Sequence, residues 1–310
     1  MKYAVTGGAG FIGSHLIRTL LDQGHSVTAI DNLNTGKMNN LKSILDKIDF
    51  IKGDIRDFEL LRDKFRDVDG VFHEAALASV QESFSKTDEY NEVNVGGTEN
   101  VLKLAKEFDF KVVYASSSSV YGNPTRIPIQ EDDPKNPINP YAQTKLDDER
   151  LARKYAKEGV KVIGLRYFNV FGDRQSQQYA GVIKKFLKKA RNGEPPIING
   201  DGTQSRDFVF VGDVVNANIL SMKSNVDHSF FNIGTATTIS VNELANIIIS
   251  GFDLKVKPLH GPALPGDVHT TKADISLASN LLGWKPKIAL SERIYEVVDW
   301  TLKNDRWLKL

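Results

Sequence analysis

A tyrosine and a lysine four residues apart, Tyr141 and Lys145, are the first candidates for acid/base chemistry. On a helix the two side chains share one face, because positions i and i+4 are neighbours there. The lysine ammonium favours the tyrosinate form, so Tyr141 could take up and return a proton near neutral pH. Taken alone, however, this spacing is better explained by an ordinary pair on a helix surface.

A run of serines precedes this pair. Ser116, Ser117, Ser118 and Ser119 follow a β-branched stretch and lead into Val-Tyr-Gly. Ligands of parallel sheets bind at the carboxyl ends of the strands, so a serine hydroxyl there could pass a proton to the tyrosine. A polar turn at the end of a strand is the alternative interpretation.

Glycines with the spacing GxxGxxG follow the first strand-like segment. Gly7, Gly10 and Gly13 would permit a tight turn, a close approach of the backbone to a pyrophosphate, and close helix–strand packing. The amides and the dipole at the start of the next helix favour an anion. A glycine turn without a ligand remains possible on this motif alone.

An acidic residue further along the chain supports a dinucleotide-binding role for the glycine motif. Asp31 ends the next predicted strand, about 20 residues further on, where a carboxylate accepts hydrogen bonds from ribose hydroxyls. It would repel a 2′-phosphate, so NAD is favoured over NADP as the cofactor. Asp54 and Ile55 follow a third strand and could meet the adenine amino group, although acidic residues at strand ends are commonly just solvated. A cationic nicotinamide near Lys145 would further favour the tyrosinate form of Tyr141.

Elements that would position these residues alternate along the first half of the chain. Short apolar runs predict strands at 2–6, 26–30, 50–53, 70–73, 111–115 and 160–165, and amphipathic segments predict helices at 11–24, 57–67, 88–108 and 141–158. The runs are apolar at consecutive positions, as in strands covered on both faces. The predicted fold class is α/β, a doubly wound parallel (Rossmann) sheet with a second, smaller α/β domain for a substrate.

The alternation of predicted strands and helices becomes irregular after Gly172, and this change predicts the domain boundary. Residues 1–172 would form the NAD-binding domain, with segments near 206–235 returning to it, and residues 173–310 mainly the second domain. Polar loops at 171–178 and 258–273 could close over a substrate. The paired lysines at 184–185 and 188–189 suggest a solvated helix face.

Composition excludes several classes of function. The 310 residues include 40 Lys and Arg, 39 Asp and Glu and no Cys, which gives a net charge of +1. This balance argues against nucleic acid and membrane surfaces as partners. Disulfides, thiolate nucleophiles and zinc–thiolate sites are impossible, and no metal site is expected. No apolar run approaches the roughly 20 residues that span a bilayer, and the N-terminus has no signal-peptide pattern, so a cytoplasmic protein is expected.

Several motifs together resemble one known family. GGAGFIGSH, the Asp31 and Asp54 segments, SSSSVYG, YxxxK and RYFNVFG resemble, in this order, the extended short-chain dehydrogenases/reductases. Within that family the chain is most similar to nucleotide-sugar epimerases of the UDP-glucose 4-epimerase type. The resemblance implies tightly held NAD, a UDP-sugar bound between a large and a small domain, and epimerisation at carbon 4 through a transient 4-keto sugar.

The resemblance also implies roles for individual residues. The catalytic residues would be Ser117, Tyr141 and Lys145. The cofactor would contact Gly7, Gly10, Phe11, Ile12, Gly13, Asp31, Asn32, Asp54, Ile55, Ala75, Asn94, Ser116, Tyr141, Lys145, Tyr167 and Phe168. The substrate would contact Ser79, Ser117, Ser118, Asn169, Val182, Asn199, Arg206, Asp267 and Thr271.

Two of these substrate assignments have alternatives, and one residue common in the family is replaced in this chain. Arg206 suits a diphosphate through its planar donor fork, but it could equally form a surface ion pair with Asp207 or Asp213. Asp267 could serve only as a turn or cap. An arginine common in the family is replaced by Leu264, so one arm of a diphosphate clamp is missing unless a nearby histidine or lysine substitutes for it.

Other activities on the same scaffold remain alternatives. Dehydratases and decarboxylases of the family place an acid just before Val-Tyr-Gly, where this chain has Ser118 and Ser119. The small Thr271, at a position where a bulky aromatic excludes an N-acetyl group, predicts that both hexoses and N-acetylhexosamines are accepted. UDP-glucuronate 4-epimerisation, a dehydratase or reductase activity and, less favoured, a non-catalytic NAD sensor stay open. The resemblance further suggests a homodimer through the helices at 88–108 and 141–158.

Overall fold

The computed structural model describes residues 1–175, 181–263, 269–287 and 290–303. The strands are β1 Lys2–Thr6, β2 Ser26–Asp31, β3 Asp49–Lys52, β4 Gly70–His73, β5 Lys111–Ser117, β6 Val162–Tyr167, β7 Asn169–Phe171, β8 Ile197–Asn199, β9 Ser205–Arg206, β10 Phe208–Phe210, β11 His228–Ile233, β12 Ile239–Ser240, β13 Leu259–Gly261 and β14 Thr270–Thr271. The helices are α1 Phe11–Asp22, α2 Phe58–Phe65, α3 Val80–Ser83, α4 Thr87–Tyr90, α5 Gly97–Phe108, α6 Pro140–Lys157, α7 Val182–Arg191, α8 Val211–Lys223, α9 Val241–Gly251, α10 Ser276–Leu282 and α11 Leu290–Lys303.

A parallel sheet of seven strands organises the larger part of the molecule. Its order is β11-β6-β5-β4-β1-β2-β3, and every neighbouring pair is parallel. All six residues of β6 and all four of β4 are buried, as expected for strands covered on both faces. The predicted doubly wound α/β sheet is confirmed.

Helices cover both faces of this sheet. On one face, Leu16 of α1 and Val214 of α8 belong to a core cluster with the strands; on the other, Leu61 of α2, Val101 of α5 and Ala152 of α6 belong to a second cluster. The strands therefore lie between two apolar layers. The loops that leave their carboxyl ends are held in place from both sides.

A separate apolar cluster lies in the second half of the chain. It is built from Ile183 and Leu187 of α7, Leu244 of α9, and Ile294 and Val298 of α11. Three small sheets, β10-β7, β12-β9-β14 and β13-β8, accompany it. Strand β11 follows these segments in sequence but pairs with β6, so the chain returns to the large sheet.

The segment 88–108 differs from the single helix that its pattern predicts. Helix α4 ends at Tyr90, a π-helical stretch occupies Asn91–Gly96, and α5 begins at Gly97. The widened turn contains the buried Asn94, whose side chain bonds to the loop after β4. This irregularity depends on a distant contact, which helical periodicity does not report.

Within the described residues, each helix is too short or too polar to cross a lipid bilayer.

Candidate active site

A cavity of about 1290 Å³ runs along the carboxyl ends of the central strands. Its volume exceeds the roughly 300–1,000 Å³ of sites for drug-sized ligands, so it has room for a dinucleotide. Most of the predicted site residues line it: Gly7, Gly10, Phe11, Ile12, Gly13, Asp31, Asn32, Ile55, Ala75, Ser116, Ser117, Tyr141, Lys145, Tyr167, Phe168, Asn169 and Val182.

The glycine turn leaves no space for side chains. Gly7 has φ +67°, and a Cβ placed on it would lie 2.8 Å from the Ala75 nitrogen. A Cβ on Gly13 would lie 2.3 Å from the Gly7 carbonyl oxygen. Gly10 is the N-cap of α1 and has no side chain that could bond to the first amides of the helix. These amides are therefore free of a side-chain cap. The turn therefore has the features of a phosphate cradle.

Asp31 is held at the end of β2 by backbone amides. Its Oδ2 accepts a hydrogen bond from the Ala9 N–H at 2.9 Å, and its Oδ1 accepts one from the Leu33 N–H at 2.8 Å. Burial raises the pKa of this carboxyl, while the two amides lower it. A carboxylate has about four acceptor positions, so two remain for ribose hydroxyls.

Asp54 does not line the cavity but is bonded to two residues that do. The carboxylate accepts bonds from Nε and Nη2 of Arg56, both at 2.9 Å, and from Nδ2 of Asn32 at 2.9 Å. The Arg56 guanidinium holds the pKa of Asp54 well below its usual range. Asn32, Ile55 and Arg56 line the cavity, so in this structure Asp54 orients the wall rather than forming it.

Ser117 lies where β5 ends. Its Oγ accepts hydrogen bonds from the Ser119 hydroxyl at 2.8 Å and the Ser119 N–H at 3.2 Å. Because both bonds are accepted, the proton of Ser117 can itself be donated into the cavity. The adjacent Ser116 donates to Glu149 instead, at 2.8 Å. Ser118 begins the short turn Ser118–Tyr121 and is not among the lining residues.

Tyr141 and Lys145 lie in the first turns of α6. The Asn139 side chain caps this helix by accepting from the Ala142 N–H at 2.8 Å, and Pro140 occupies the first helical position. This start places both side chains along the cavity wall. The geometry therefore favours the site interpretation over a pair on an exposed helix surface.

An unpredicted carboxylate stands behind Lys145. The Lys145 Nζ lies 3.2 Å from Oδ2 of Asp148, and the two side chains are almost wholly buried. Burial raises the pKa of Asp148 to about 7, and Lys145 opposes this rise. Three-residue spacing on one helix was the available sequence signal for this pair.

A buried polar chain continues inward from this ion pair. Thr98 bonds to Asp148 and lies 3.0 Å from Nε2 of His73, whose Nδ1 lies 2.7 Å from Oγ1 of Thr6. Burial lowers the pKa of His73 to about 3, so the ring is neutral at neutral pH. The chain links α6, α5, β4 and β1.

Asn94 positions the loop after β4. Its Oδ1 accepts from the Leu77 N–H at 2.8 Å, and its Nδ2 donates to the Leu77 carbonyl at 2.9 Å and to Oγ1 of Thr144 at 3.0 Å. Leu77 lines the cavity and Asn94 lies behind it. Ser79, in the same loop, caps α3 by accepting from the Glu82 N–H and is not among the lining residues.

Glu74 lines the cavity and has no counterpart among the predicted site residues. Its Oε1 accepts from the Tyr167 hydroxyl at 2.9 Å, and Tyr167 accepts from Nδ2 of Asn218 at 2.7 Å. Burial raises the pKa of Glu74 to about 7. The available sequence signal was an acidic residue directly after a buried strand.

A buried arginine supports the same wall from below. Nε and Nη2 of Arg166 donate to the two carboxylate oxygens of Glu149 at 2.7 and 2.8 Å, and Nη1 donates to the Tyr121 hydroxyl at 2.7 Å. Tyr121 donates onward to Asn232 at 2.6 Å. This network joins β6, α6, the turn after β5, and β11.

The predicted substrate residues of the second half fall into three groups. Asn169 and Val182 line the cavity, and Nδ2 of Asn169 donates to the Asp207 carbonyl at 3.0 Å. Asn199, Arg206 and Thr271 lie outside the lining, on β8, β9 and β14. Asp267 and Leu264 lie outside the described residues.

Arg206 and Thr271 are partners across neighbouring strands. Nη1 of Arg206 donates to the carbonyls of Ser205 and His269. The carboxylate of Asp207, one alternative ion-pair partner of Arg206, accepts hydrogen bonds from Thr235, Ala236 and Ala273. The small Thr271 is therefore the direct neighbour of Arg206 on the adjacent strand.

The prediction of a solvated lysine face on α7 is wrong for one residue. Lys185 and Lys188 are exposed, but Lys184 is 4% exposed, lines the cavity and donates to the Gln175 carbonyl at 3.1 Å. Burial, with Lys37 and Lys188 nearby, lowers its pKa to about 8. The apolar side of α7 packs inward, and Lys184 lies at the border of that side.

A family model described as the NAD dependent epimerase/dehydratase family matches residues 3–234. The chain belongs to this family. NAD is accordingly its cofactor, and it is an enzyme. The start of α1 at the glycine turn, which has no side-chain cap, and the backbone-held Asp31 fit that cofactor.

Similar members of the family align over nearly the whole chain. A putative UDP-glucose 4-epimerase of Methanocaldococcus jannaschii is 41% identical over 97% of this chain and 99% of its own. A UDP-glucose 4-epimerase of Thermotoga maritima, solved with UDP-glucose, has a TM-score of 0.93 at 35% identity, covering 98% of this chain and 99% of the other. A UDP-N-acetylglucosamine 4-epimerase of Methanobrevibacter ruminantium, solved with UDP-N-acetylmuramic acid, has a TM-score of 0.93 at 37% identity, covering 98% of each chain.

Proposed function

We propose that this enzyme inverts carbon 4 of a UDP-sugar, with UDP-glucose and UDP-galactose as one substrate pair. The observation that carries the proposal is the meeting of Ser117, Tyr141 and Lys145 along the same cavity as the glycine turn and Asp31. The similar UDP-sugar epimerases support the substrate class.

Each of the three residues has one task in this proposal. Tyr141 accepts the proton of the 4-hydroxyl as the sugar is oxidised, and returns it when the ketone is reduced. Ser117 donates a hydrogen bond to the same oxygen, and Lys145 stabilises the tyrosinate. When bound, NAD supplies a reversible hydride acceptor, so no net oxidation occurs.

Inversion requires the keto sugar to present its opposite face. The nucleotide must therefore be held firmly and the sugar loosely, because binding energy placed on the sugar would resist the turn. The proposed nucleotide anchors are Asn169 and Val182 in the cavity wall, Asn199 and Arg206 beyond it, and Asp267. Ser79 and Ser118 are proposed to contact the sugar side.

We further propose that both hexoses and N-acetylhexosamines are accepted. Thr271 is small, and among similar proteins are epimerases of both substrate classes. Relative rates on UDP-glucose and UDP-N-acetylglucosamine test this. Complete inactivity on the N-acetyl sugar would contradict it.

Dehydration, decarboxylation and simple NAD sensing are less well supported. The two positions before Val-Tyr-Gly hold serines, and Ser119 is bonded to Ser117, so the turn offers no acid of its own for abstraction at carbon 5. An NAD sensor would need neither Tyr141 nor Lys145. UDP-glucuronate remains a candidate substrate because a UDP-glucuronate 4-epimerase of Thermodesulfobacterium geofontis is 34% identical.

The decisive experiment is interconversion of UDP-galactose and UDP-glucose by purified protein without added cofactor. Tyr141→Phe should lower kcat by about 100-fold or more, the usual contribution of general acid–base catalysis. Tyr155→Phe makes the same change on the same helix, away from the cavity lining, and should retain the rate. Full activity of Tyr141→Phe would show that the base is misassigned, and stoichiometric NADH release would indicate a dehydrogenase instead.

We also propose two domains: residues 1–172 with the returning segments near 206–235, and the remainder of 173–310.

We propose a homodimer formed through the segments 88–108 and 141–158. The exposed Val80 and Phe84, 36% and 60% accessible, lie on and next to α3, which packs on α6, and support an apolar contact there. Light scattering should give twice the chain mass, and Phe84→Glu should shift the protein toward the monomer. A monomeric wild-type protein would refute this part.

A further inference from the structure

Glu74 occupies a position in the cavity that the proposed mechanism does not use. It directly follows β4, and its backbone touches the glycine turn, because a Cβ on Gly7 would lie 2.9 Å from the Glu74 carbonyl carbon. The side chain lines the cavity together with Tyr141, Lys145 and Phe168. Because β4 lies between β1 and β5 in the sheet, Glu74 follows β4 between the glycine turn and Ser117.

The partners of Glu74 leave one carboxylate oxygen available. Tyr167 donates its only hydroxyl proton to Oε1, since the second bond of Tyr167, from Asn218, is one that it accepts. Oε2 is buried and has no hydrogen-bond partner among the described residues. A buried acceptor without a partner is costly, which suggests that a ligand completes this site.

The charge balance of the site identifies what Oε2 can do. Lys145 is the cation facing Glu74, and oxidised NAD adds a second positive charge on its nicotinamide ring. That ring must come within reach of the carbon whose hydroxyl Tyr141 deprotonates, in the same part of the cavity. A carboxylate there stabilises the oxidised ring and has no comparable attraction for the neutral reduced ring.

We propose that Glu74, through Oε2, makes this site favour oxidised over reduced cofactor. The inference rests on the proposed roles of Tyr141 and Lys145 for the position of the ring. Favouring the oxidised form drives the hydride back to the keto sugar, so the intermediate is reduced before it can escape. Glu74 acts through the effect of its charge on the cofactor and does not itself take the substrate proton.

The ionisation of Glu74 gives the effect a pH dependence with a definite sign. Burial raises the pKa of Glu74 to about 7, while the Tyr167 bond and Lys145 oppose the rise. The oxidised ring favours the carboxylate, so the preference for oxidised cofactor is weak when Glu74 is protonated and grows as the pH rises. Each unit of difference in the Glu74 pKa between the two cofactor states equals a tenfold change in their ratio.

The pH effects of other titratable groups near Glu74 must be distinguished from the effect of Glu74 itself. His73 of β4 is neutral, and Tyr167 of β6 stays protonated because burial raises its pKa well above the usual value. From α6 come Tyr141, Lys145 and, behind the lysine, Asp148, whose pKa is also raised to about 7. Asp148 is therefore the alternative source of a pH effect in this range.

The experiment measures the redox equilibrium of the bound cofactor in the holoenzyme. Wild-type and Glu74→Gln proteins are equilibrated with the same mediator couple at about pH 5.5 and about pH 8.5, on either side of the Glu74 pKa, and reduced cofactor is read from its absorbance. At the lower pH the two proteins should match. At the higher pH the ratio of reduced to oxidised cofactor should be about tenfold greater in Glu74→Gln, for a one-unit pKa difference.

Matched variants establish the origin of the effect. Glu89→Gln makes the same change in another carboxylate of the cavity lining, 43% exposed, and should match wild type at both pH values. Introducing Glu74→Gln into an Asp148→Asn background should still raise the ratio at the higher pH. Tyr167→Phe removes the bond that lowers the Glu74 pKa, so the wild-type preference should persist but develop at higher pH.

Several results would overturn the inference. Equal ratios in Glu74→Gln and wild type at the higher pH would do so, as would an equal difference at both pH values, which indicates a purely structural role. So would loss of the effect in the Asp148→Asn background. These results are independent of the epimerase assay, so failure on UDP-sugars with an intact redox effect would count against the proposed substrate alone.

Discussion

The charge of Lys145 acts on both Asp148 and Tyr141. Its Nζ lies 3.2 Å from Oδ2 of Asp148, so the buried carboxylate partly offsets the stabilisation that the ammonium gives to the tyrosinate form of Tyr141. The catalytic pair was predictable because its spacing is local, but Asp148 and Glu74 were not recognised. Their importance comes from burial and from partners on other elements, which a single acidic letter in the sequence does not report.

Removing the charge of Asp148 should favour the tyrosinate form of Tyr141. Burial raises the pKa of Asp148 to about 7, so its charge is present mainly above that pH. Asp148→Asn should therefore raise kcat several-fold above about pH 7 and change it little below about pH 6, because the ammonium then acts on the tyrosinate without an opposing carboxylate. Asp147→Asn is the control, since that partly exposed carboxylate pairs with Arg150. Equal changes in both variants, or none in either, would show that Asp148 does not tune the base.

The glycine turn and the π-helical stretch differ in how far sequence can predict them. Glycine spacing directly after a strand indicates the turn, because a Cβ on Gly13 would lie 2.3 Å from the Gly7 carbonyl oxygen. The π-helical stretch at Asn91–Gly96 depends on the contact of Asn94 with Leu77, far away in sequence. Local patterns therefore predicted the phosphate cradle but not the widened turn.

Gly13→Ala should distort the turn. Overpacking of this kind costs about 1–3 kcal/mol, and we expect NAD affinity to fall by about tenfold or more because the backbone moves where the pyrophosphate would bind. Cofactor content after purification and titration with NAD measure the effect. Gly96→Ala, whose Cβ would meet nothing closer than 4.0 Å, should bind NAD normally; a normal Gly13→Ala would refute the cradle.

Asn94→Ala should destabilise the loop after β4 through three lost hydrogen bonds. Leu77 would keep a buried N–H and a carbonyl without their partner, so the free energy of unfolding should fall by about 2–3 kcal/mol. Urea unfolding followed by circular dichroism gives the value. Asn91→Ala removes an exposed amide from the same stretch and should change the free energy of unfolding by less than about 0.5 kcal/mol.

Across the whole molecule, Arg166 joins parts of the chain that the sequence separates widely. It contacts Glu149, Tyr121 and the Glu131 carbonyl, and Tyr121 reaches Asn232 on β11. The sequence-based interpretation assigned Tyr167, Phe168 and Asn169 to ligands and gave no role to the arginine that precedes them. In the structure this arginine is fully buried.

Arg166→Met should lower the free energy of unfolding by about 3–5 kcal/mol, because Glu149 is left as a buried charge without its main partner. Replacing both, with Glu149→Leu added, should recover much of that loss. Arg153→Met is the matched control: this half-exposed arginine also reaches Glu149, at 3.6 Å, and should cost less than about 1 kcal/mol. Equal losses for the two arginines would contradict the role assigned to Arg166.

The pairing of β11 with β6 has a consequence for synthesis of the chain. When the ribosome has released residues 1–172, β6 presents six residues of unpaired backbone along its outer border, and the strand that covers them is not complete until residue 233 has emerged. An exposed border of this length is a template for pairing with another nascent chain. The order of segments therefore leaves this border of β6 open to intermolecular pairing until β11 has been synthesised.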